Sequence, residues 1–173
     1  MLKSQRGISL LELMIAVVII GIVLSVGAPA VNNVQQNLSL SGATKNSYFL
    51  FQQARSHAVR LSSDVVVDIS DGSSWCIGVT ELANCDCNTA ASCTVDGVEY
   101  ALSSDDFPGT IMENALFGDD DQATFDGTRG LTLNSAGSFE LTHGSITTRV
   151  NLNTVGRLSI CLVSGELGSY AAC

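Results

Sequence analysis

At 173 residues, 46% of them hydrophobic and 14% charged, the chain has room for one compact domain plus an anchor and little for a second domain. Eight basic residues stand against 17 acidic ones, a formal net charge of −9, and without Lys3 and Arg6 the remaining six basic residues leave a balance of −11. A surface that acidic repels phosphates within a Debye length and disfavours general nucleic-acid affinity.

The chain begins "MLKSQRG" and runs straight into "ISLLELMIAVVIIGIVLSVGAP". From Ile8 to Ala28 the only charge is Glu12. Roughly 20 apolar residues span a bilayer core roughly 30 Å thick, and an unpaired acid inside one costs on the order of 2–3 kcal/mol. Lys3 and Arg6 place the short N-terminus in the cytoplasm and the remainder on the exported side. The apolar run is too long for a signal-peptide core, and no small-residue cleavage motif follows it. Gly21, Gly27 and Pro29 punctuate its second half, and Pro29 is a candidate helix kink.

Helical spacing continues through Val31, Val34 and Leu38, and again through Phe51, Ala54, Ala58 and Leu61. The spacing predicts one long helix from about Ile8 to Leu61 in three zones. The first is apolar all round, the middle (Ser39 to Ser47) is polar, and the last has one apolar stripe that needs a partner surface. From Asp64 the period changes. "DVVVDI", "SWCIGV", "GVEYALS", "ATFDG", "GSFELTHG", "TTRVNLN" and "GRLSICLV" read as seven short strands separated by turn residues. The fold class is therefore α+β: a long N-terminal helix, membrane-spanning in its first half, packs its C-terminal half on an antiparallel sheet.

Six cysteines, Cys76, Cys85, Cys87, Cys93, Cys161 and Cys173, lie on the exported side, where disulfides form. Six cysteines allow 15 connectivities. A Cys161–Cys173 bridge closing a C-terminal loop leaves the other four to staple the 76–93 region. A zinc cluster in "CDCNTAASC" is the rival reading, weakened by the oxidising compartment and the absence of a CxxC pair.

A basic leader ending in Gly7, an apolar Ile8, Glu12, and an unbroken apolar run ending near a proline resemble the N-terminus of type IV prepilins and pseudopilins. The resemblance implies cleavage between Gly7 and Ile8 by prepilin peptidase and N-methylation of Ile8, although Phe is the family's usual first mature residue. It implies that Glu12 pairs with the N-terminal amine of a neighbouring subunit and so sets the axial register of assembly. The segment "FLFQQARSHAVRLSSDVVVDI" resembles the GspH/FimT group of minor pilins and minor pseudopilins through Ala54, Arg55, Ala58, Val59 and Arg60, with His57 where that group usually has Glu. "NTVGRLSIC" resembles the same group's closing strands. These segments cover about a third of the chain.

The resemblance divides the chain into a cleaved leader (1–7), a transmembrane and assembly helix (8–29), an amphipathic continuation (30–62) and a disulfide-containing head (63–173). Its implied partners are other major and minor pilins or pseudopilins, prepilin peptidase and an inner-membrane assembly platform. The implied location is the inner membrane, single-pass with a periplasmic head, and then a pilus or pseudopilus. Some FimT-like minor pilins take part in DNA uptake through a basic "GRxR" segment. Here Gly156 and Arg157 match and Ser159 replaces the second arginine, which leaves Arg157 and Arg149, with Arg129, as weak DNA-contact candidates.

Other chemistry finds little support. His57 and His143 lack partners at ligand spacing. "GDDDQATFDG" offers Asp119, Asp120, Asp121 and Asp126 but not the spacing of an EF-hand loop, so a solvated acidic loop is preferred to a calcium site. No nucleophile elbow, metalloprotease or phosphate-loop motif is present, and no enzyme activity or cofactor is expected.

Overall fold

The computed structural model describes residues 9–118, 122–132, 134–168 and 170–173, with the backbone alone for Leu24 and residues 26–30. Helix α1 spans Leu10–Leu61 without a break, Pro29 included. The chain divides into two compact units, Met1–Gln35 and Gln36–Cys173, so the boundary falls inside α1. In the first unit every large apolar side chain from Leu10 to Val23 is more than half exposed. Among the described residues no helix is long and apolar enough to cross a membrane.

In the second unit α1 buries Leu40, Ala43, Thr44, Ser47, Leu50, Phe51, Ala54 and Ala58. The packed face thus begins inside the zone read as polar. Its small residues let other segments approach closely: Gly42 lies against the Phe107 ring, and Ser39 donates to the Pro108 carbonyl at 3.1 Å. Thr44 Oγ1 bonds the Leu40 carbonyl and lies 2.7 Å from Thr148 Oγ1, which satisfies two buried hydroxyls. Val31, Val34 and Leu38, which follow helical spacing, are exposed. α1 ends in a Schellman motif. Ser62 takes the left-handed conformation (φ 53°), with Ser63 N–H donating to the Ala58 carbonyl and Ser62 N–H to that of Val59.

Among the described residues ten strands follow: β1 Val65–Ser70, β2 Cys76–Thr80, β3 Thr94–Val95, β4 Val98–Glu99, β5 Ala101–Ser103, β6 Ile111–Phe117, β7 Gln122–Phe125, β8 Gly137–His143, β9 Ile146–Leu152 and β10 Leu158–Ser164. They form two antiparallel four-stranded sheets, β5-β2-β1-β7 and β10-β9-β8-β6, and the hairpin β3-β4. The core of the second unit joins α1 to both sheets. Phe51 lies 5.8 Å, ring to ring, from both Phe117 and Phe139. Trp75 is fully buried and donates its indole N–H to Thr110 Oγ1 at 3.1 Å.

The strands missed from sequence are the two-residue β3 and β6, "IMENALF", and β4 and β5 were read as one. The register of β6 against β8 shifts between Glu113 and Leu116, where Asn114 has φ 54°. That bulge changes which side chains point inward, so no period-two alternation survives to be read.

Candidate assembly and contact surfaces

Glu12 lies in the first turn of α1, where a carboxylate complements the helix dipole, and it is flanked by the exposed apolar side chains of Leu10 to Val23. Gly7 and Ile8, the expected processing junction, lie outside the described residues.

All six cysteines are paired: Cys76–Cys87, Cys85–Cys93 and Cys161–Cys173. The first two cross in the segment that covers the first sheet. Gly78 of β2 leaves room for the Cys85–Cys93 bridge, because a Cβ there would overlap Cys93 Sγ. Asp68 of β1 holds the same segment by accepting from the Cys85 N–H at 3.0 Å. The third bridge pins the C-terminal tail beside β10. There Leu162 N–H donates to the Ala171 carbonyl at 2.8 Å and Cys173 N–H to the Leu162 carbonyl at 3.0 Å. Leu162 and Ala172 thereby form a parallel bridge along the edge of the second sheet.

The cations divide into engaged and open groups. Arg149 on β9 donates Nε and Nη2 to Glu140 Oε1 on β8, and Asn114 at the β6 bulge donates to Glu140 Oε2 at 2.8 Å. Burial pushes the Glu140 pKa up, but the bonds from Arg149 and Asn114 outweigh it and hold the carboxyl below the usual glutamate value. A phosphate must therefore displace Glu140 to use Arg149, which weakens the reading of Arg149 as a DNA contact. Arg60, in the last turn of α1, bonds Asp96 at 2.5 Å and His57 Nδ1 at 3.0 Å. Partial burial and the neighbouring Arg60 lower the His57 pKa, opposed by Asp96. This leaves Arg60 and His57 tying the helix end to the Asp96-Gly97 turn of the β3-β4 hairpin.

Arg55 lies across two glycines from distant loops. Its Nε is 3.0 Å from where a Cβ on Gly130 would stand and 3.2 Å from where one on Gly156 would. The loops are joined by Thr132 N–H to the Thr154 carbonyl and Thr132 Oγ1 to the Asn153 carbonyl. Asp126 shapes the first loop by accepting from the backbone N–H of Thr128, Arg129 and Leu131, which lowers its pKa, the bond from Arg129 contributing most. Asp126 is thus occupied, and Asp119 to Asp121 lie outside the described residues. Sequence reasoning singled out Arg55 and Gly156 separately and missed Gly130. The reversed dipeptides Arg129-Gly130 and Gly156-Arg157 are the signal that marks the meeting point.

The model of the family described as type II transport protein GspH matches residues 44–156. The model of the prokaryotic N-terminal methylation motif matches residues 2–28. No curated protein and no solved structure matches the chain. The GspH match takes in more than half of the chain, from the packed part of α1 to Gly156, and the methylation motif precedes it without overlap. The chain therefore belongs to the GspH family of pilin-like proteins and is a membrane-anchored minor pilin or pseudopilin.

Proposed function

We propose that this chain is a structural minor subunit of a type IV pilus that primes or caps filament assembly after prepilin peptidase has cut between Gly7 and Ile8 and methylated Ile8. The observation that carries this reading is the order of parts: a methylation motif over residues 2–28, Glu12 in the first turn of a 52-residue helix, and a head packed on the helix's other end. Before assembly the helix holds the subunit in the inner membrane, single-pass, with the N-terminus cytoplasmic and the head periplasmic. Glu12 then pairs with the N-terminal amine of a neighbouring pilin, because a wrong register leaves both charges buried and unpaired. Glu12→Ala and Glu12→Gln should leave cleavage intact and remove the subunit from sheared filaments. Wild-type incorporation of either variant would contradict the pairing.

A minor pseudopilin of type II secretion is the second reading, favoured by the description of the matching family. Deletion of the gene separates the two, since one reading predicts loss of pili and the other loss of secretion. A DNA-binding tip subunit is weighed down by the acidic head and the engagement of Arg149. The head acts without catalysis or a cofactor in this account, and the three backbone bonds to Asp126 weigh against that carboxylate as a calcium ligand. Calorimetric titration with calcium tests that point, with no heat of binding expected.

A further inference from the structure

We propose that the open edge of β5 is a docking site for an extended, basic segment of another protein, which adds to the four-stranded first sheet as a further strand. The outermost strands of the two sheets are β5, β7, β6 and β10, and three of them are covered. β7 is capped by Ser135, whose hydroxyl accepts from the Thr124 N–H at 2.8 Å and donates to the Thr124 carbonyl at 3.0 Å. β6 is capped by Gly72, which exchanges two backbone bonds with Met112, and β10 by the tail at Leu162. β5 has no such cover among the described residues. Its flanking residues bond inward to β2: the Tyr100 carbonyl accepts from the Val79 N–H, and the Ser104 N–H donates to the Trp75 carbonyl. Alternation along an antiparallel pair then turns the N–H and C=O of Ala101 and Ser103 outward. Among the described residues no backbone or side-chain group bonds them there. A row of unpaired backbone groups is a template for strand addition.

The edge is presented preformed, which lowers the ordering cost of binding. Tyr100 stacks 4.8 Å from His57, and Arg60 holds Asp96 of the adjoining hairpin. Cys76, the register partner of Ser103, fixes Cys87 through their disulfide. A groove of about 310 Å³ at this edge is lined by Cys87, Glu99, Ala101, Leu102, Ser103 and Asp106. Half-buried Leu102 gives it an apolar patch, and exposed Glu99 and Asp106, with Asp105 beside them, give it negative charge. One Glu99 oxygen accepts from the Ala91 N–H at 2.7 Å, which holds the side chain in place. Those carboxylates select the occupant. They attract an extended segment bearing lysine or arginine, whereas β5 of a second copy would set like charges against one another. The cations of residues 36–173 supply no such segment either. Lys45, Arg55 and Arg60 lie on α1, Arg149 is paired with Glu140, and Arg129 and Arg157 lie in the 126–131 and 153–157 loops. The occupant is therefore a different chain.

The test uses the full chain in detergent, with amide hydrogen exchange read residue by residue by NMR. The probe is a short capped peptide of alternating lysine and valine. Two controls accompany it: the same peptide N-methylated at every residue, which keeps the charge and loses the donors, and a glutamate-valine peptide. At saturation the lysine-valine peptide should slow exchange at the Ala101 and Ser103 amides about tenfold and leave Leu102, already bonded to β2, unchanged. Neither control should do so. Glu99→Gln/Asp106→Asn should weaken binding about fivefold or more, and Gln at 99 retains an oxygen for the Ala91 N–H. No slowing, or equal slowing by the N-methylated peptide, overturns strand addition. Equal slowing by the glutamate-valine peptide, or unchanged binding to the double variant, overturns the basic partner. Ala101 and Ser103 amides that are slow before any peptide is added and quicken on dilution assign the edge to a second copy and overturn the proposal as well.

Discussion

Arg55 Nε lies 3.2 Å from the place a Cβ on Gly156 would occupy, although the two residues are about a hundred positions apart in sequence. Gly130 sits between them, its carbonyl so close to Gly156 that any Cβ there would overlap it. The last turns of α1, the 126–131 loop and the 153–157 turn therefore meet at an arginine stem on two glycines, both with positive φ. The "AR" and "GR" segments are two sides of one contact.

Gly156→Ala should destabilise the chain by about 2–4 kcal/mol, combining backbone strain at φ 72° with the overlap. Gly97, also at positive φ (73°) but with nothing within 4 Å of its Cβ position, isolates the strain component. Gly97→Ala should cost about 1 kcal/mol. Thermal unfolding of both variants checks the ordering, and equal shifts would contradict the close packing at Gly156.

The Glu140–Arg149–Asn114 network should make stability depend on acid. Because the folded pKa of Glu140 is lowered, its contribution is complete above the ordinary glutamate value and is lost as pH falls through the folded one. Glu140→Gln should cost about 1–3 kcal/mol near pH 7, toward the lower end because Arg149 keeps contact with water. The gap between wild type and variant should narrow as pH falls below the ordinary glutamate value. Denaturant midpoints across that range measure it, and a gap independent of pH would contradict the pairing.

Cys161→Ser/Cys173→Ser removes a bridge between residues 12 apart, which should cost about 3 kcal/mol by loop-closure entropy. The effect should be local as well as global. The amides of Leu162 and Cys173, which bond across the tail and β10, should exchange faster than those of β8. Unchanged protection at both would show that the tail stays in place without its disulfide.

Much of the fold was legible because its signals are local. The apolar run and the Phe51-Ala54-Ala58 spacing marked α1, a β-branched run marked β1, and alternation marked strands such as β9. The structure pairs Cys161 with Cys173 and the four earlier cysteines among themselves, the grouping that spacing suggested. β6 was hidden by its bulge, and the single expected sheet proved to be two because pairing partners are set by tertiary contact. Thr44 and Ser47 read as polar but are buried, since a helix pressed against a sheet favours small side chains. Arg149 read as an open cation because its partner, Glu140, lies on the neighbouring strand.

The central claim is that this chain is processed as a pilin-like subunit, and the mass of its mature N-terminus in the cell tests that most directly. The account predicts a chain beginning at Ile8 and carrying an N-methyl group. A chain that keeps Met1 and the leader would contradict it.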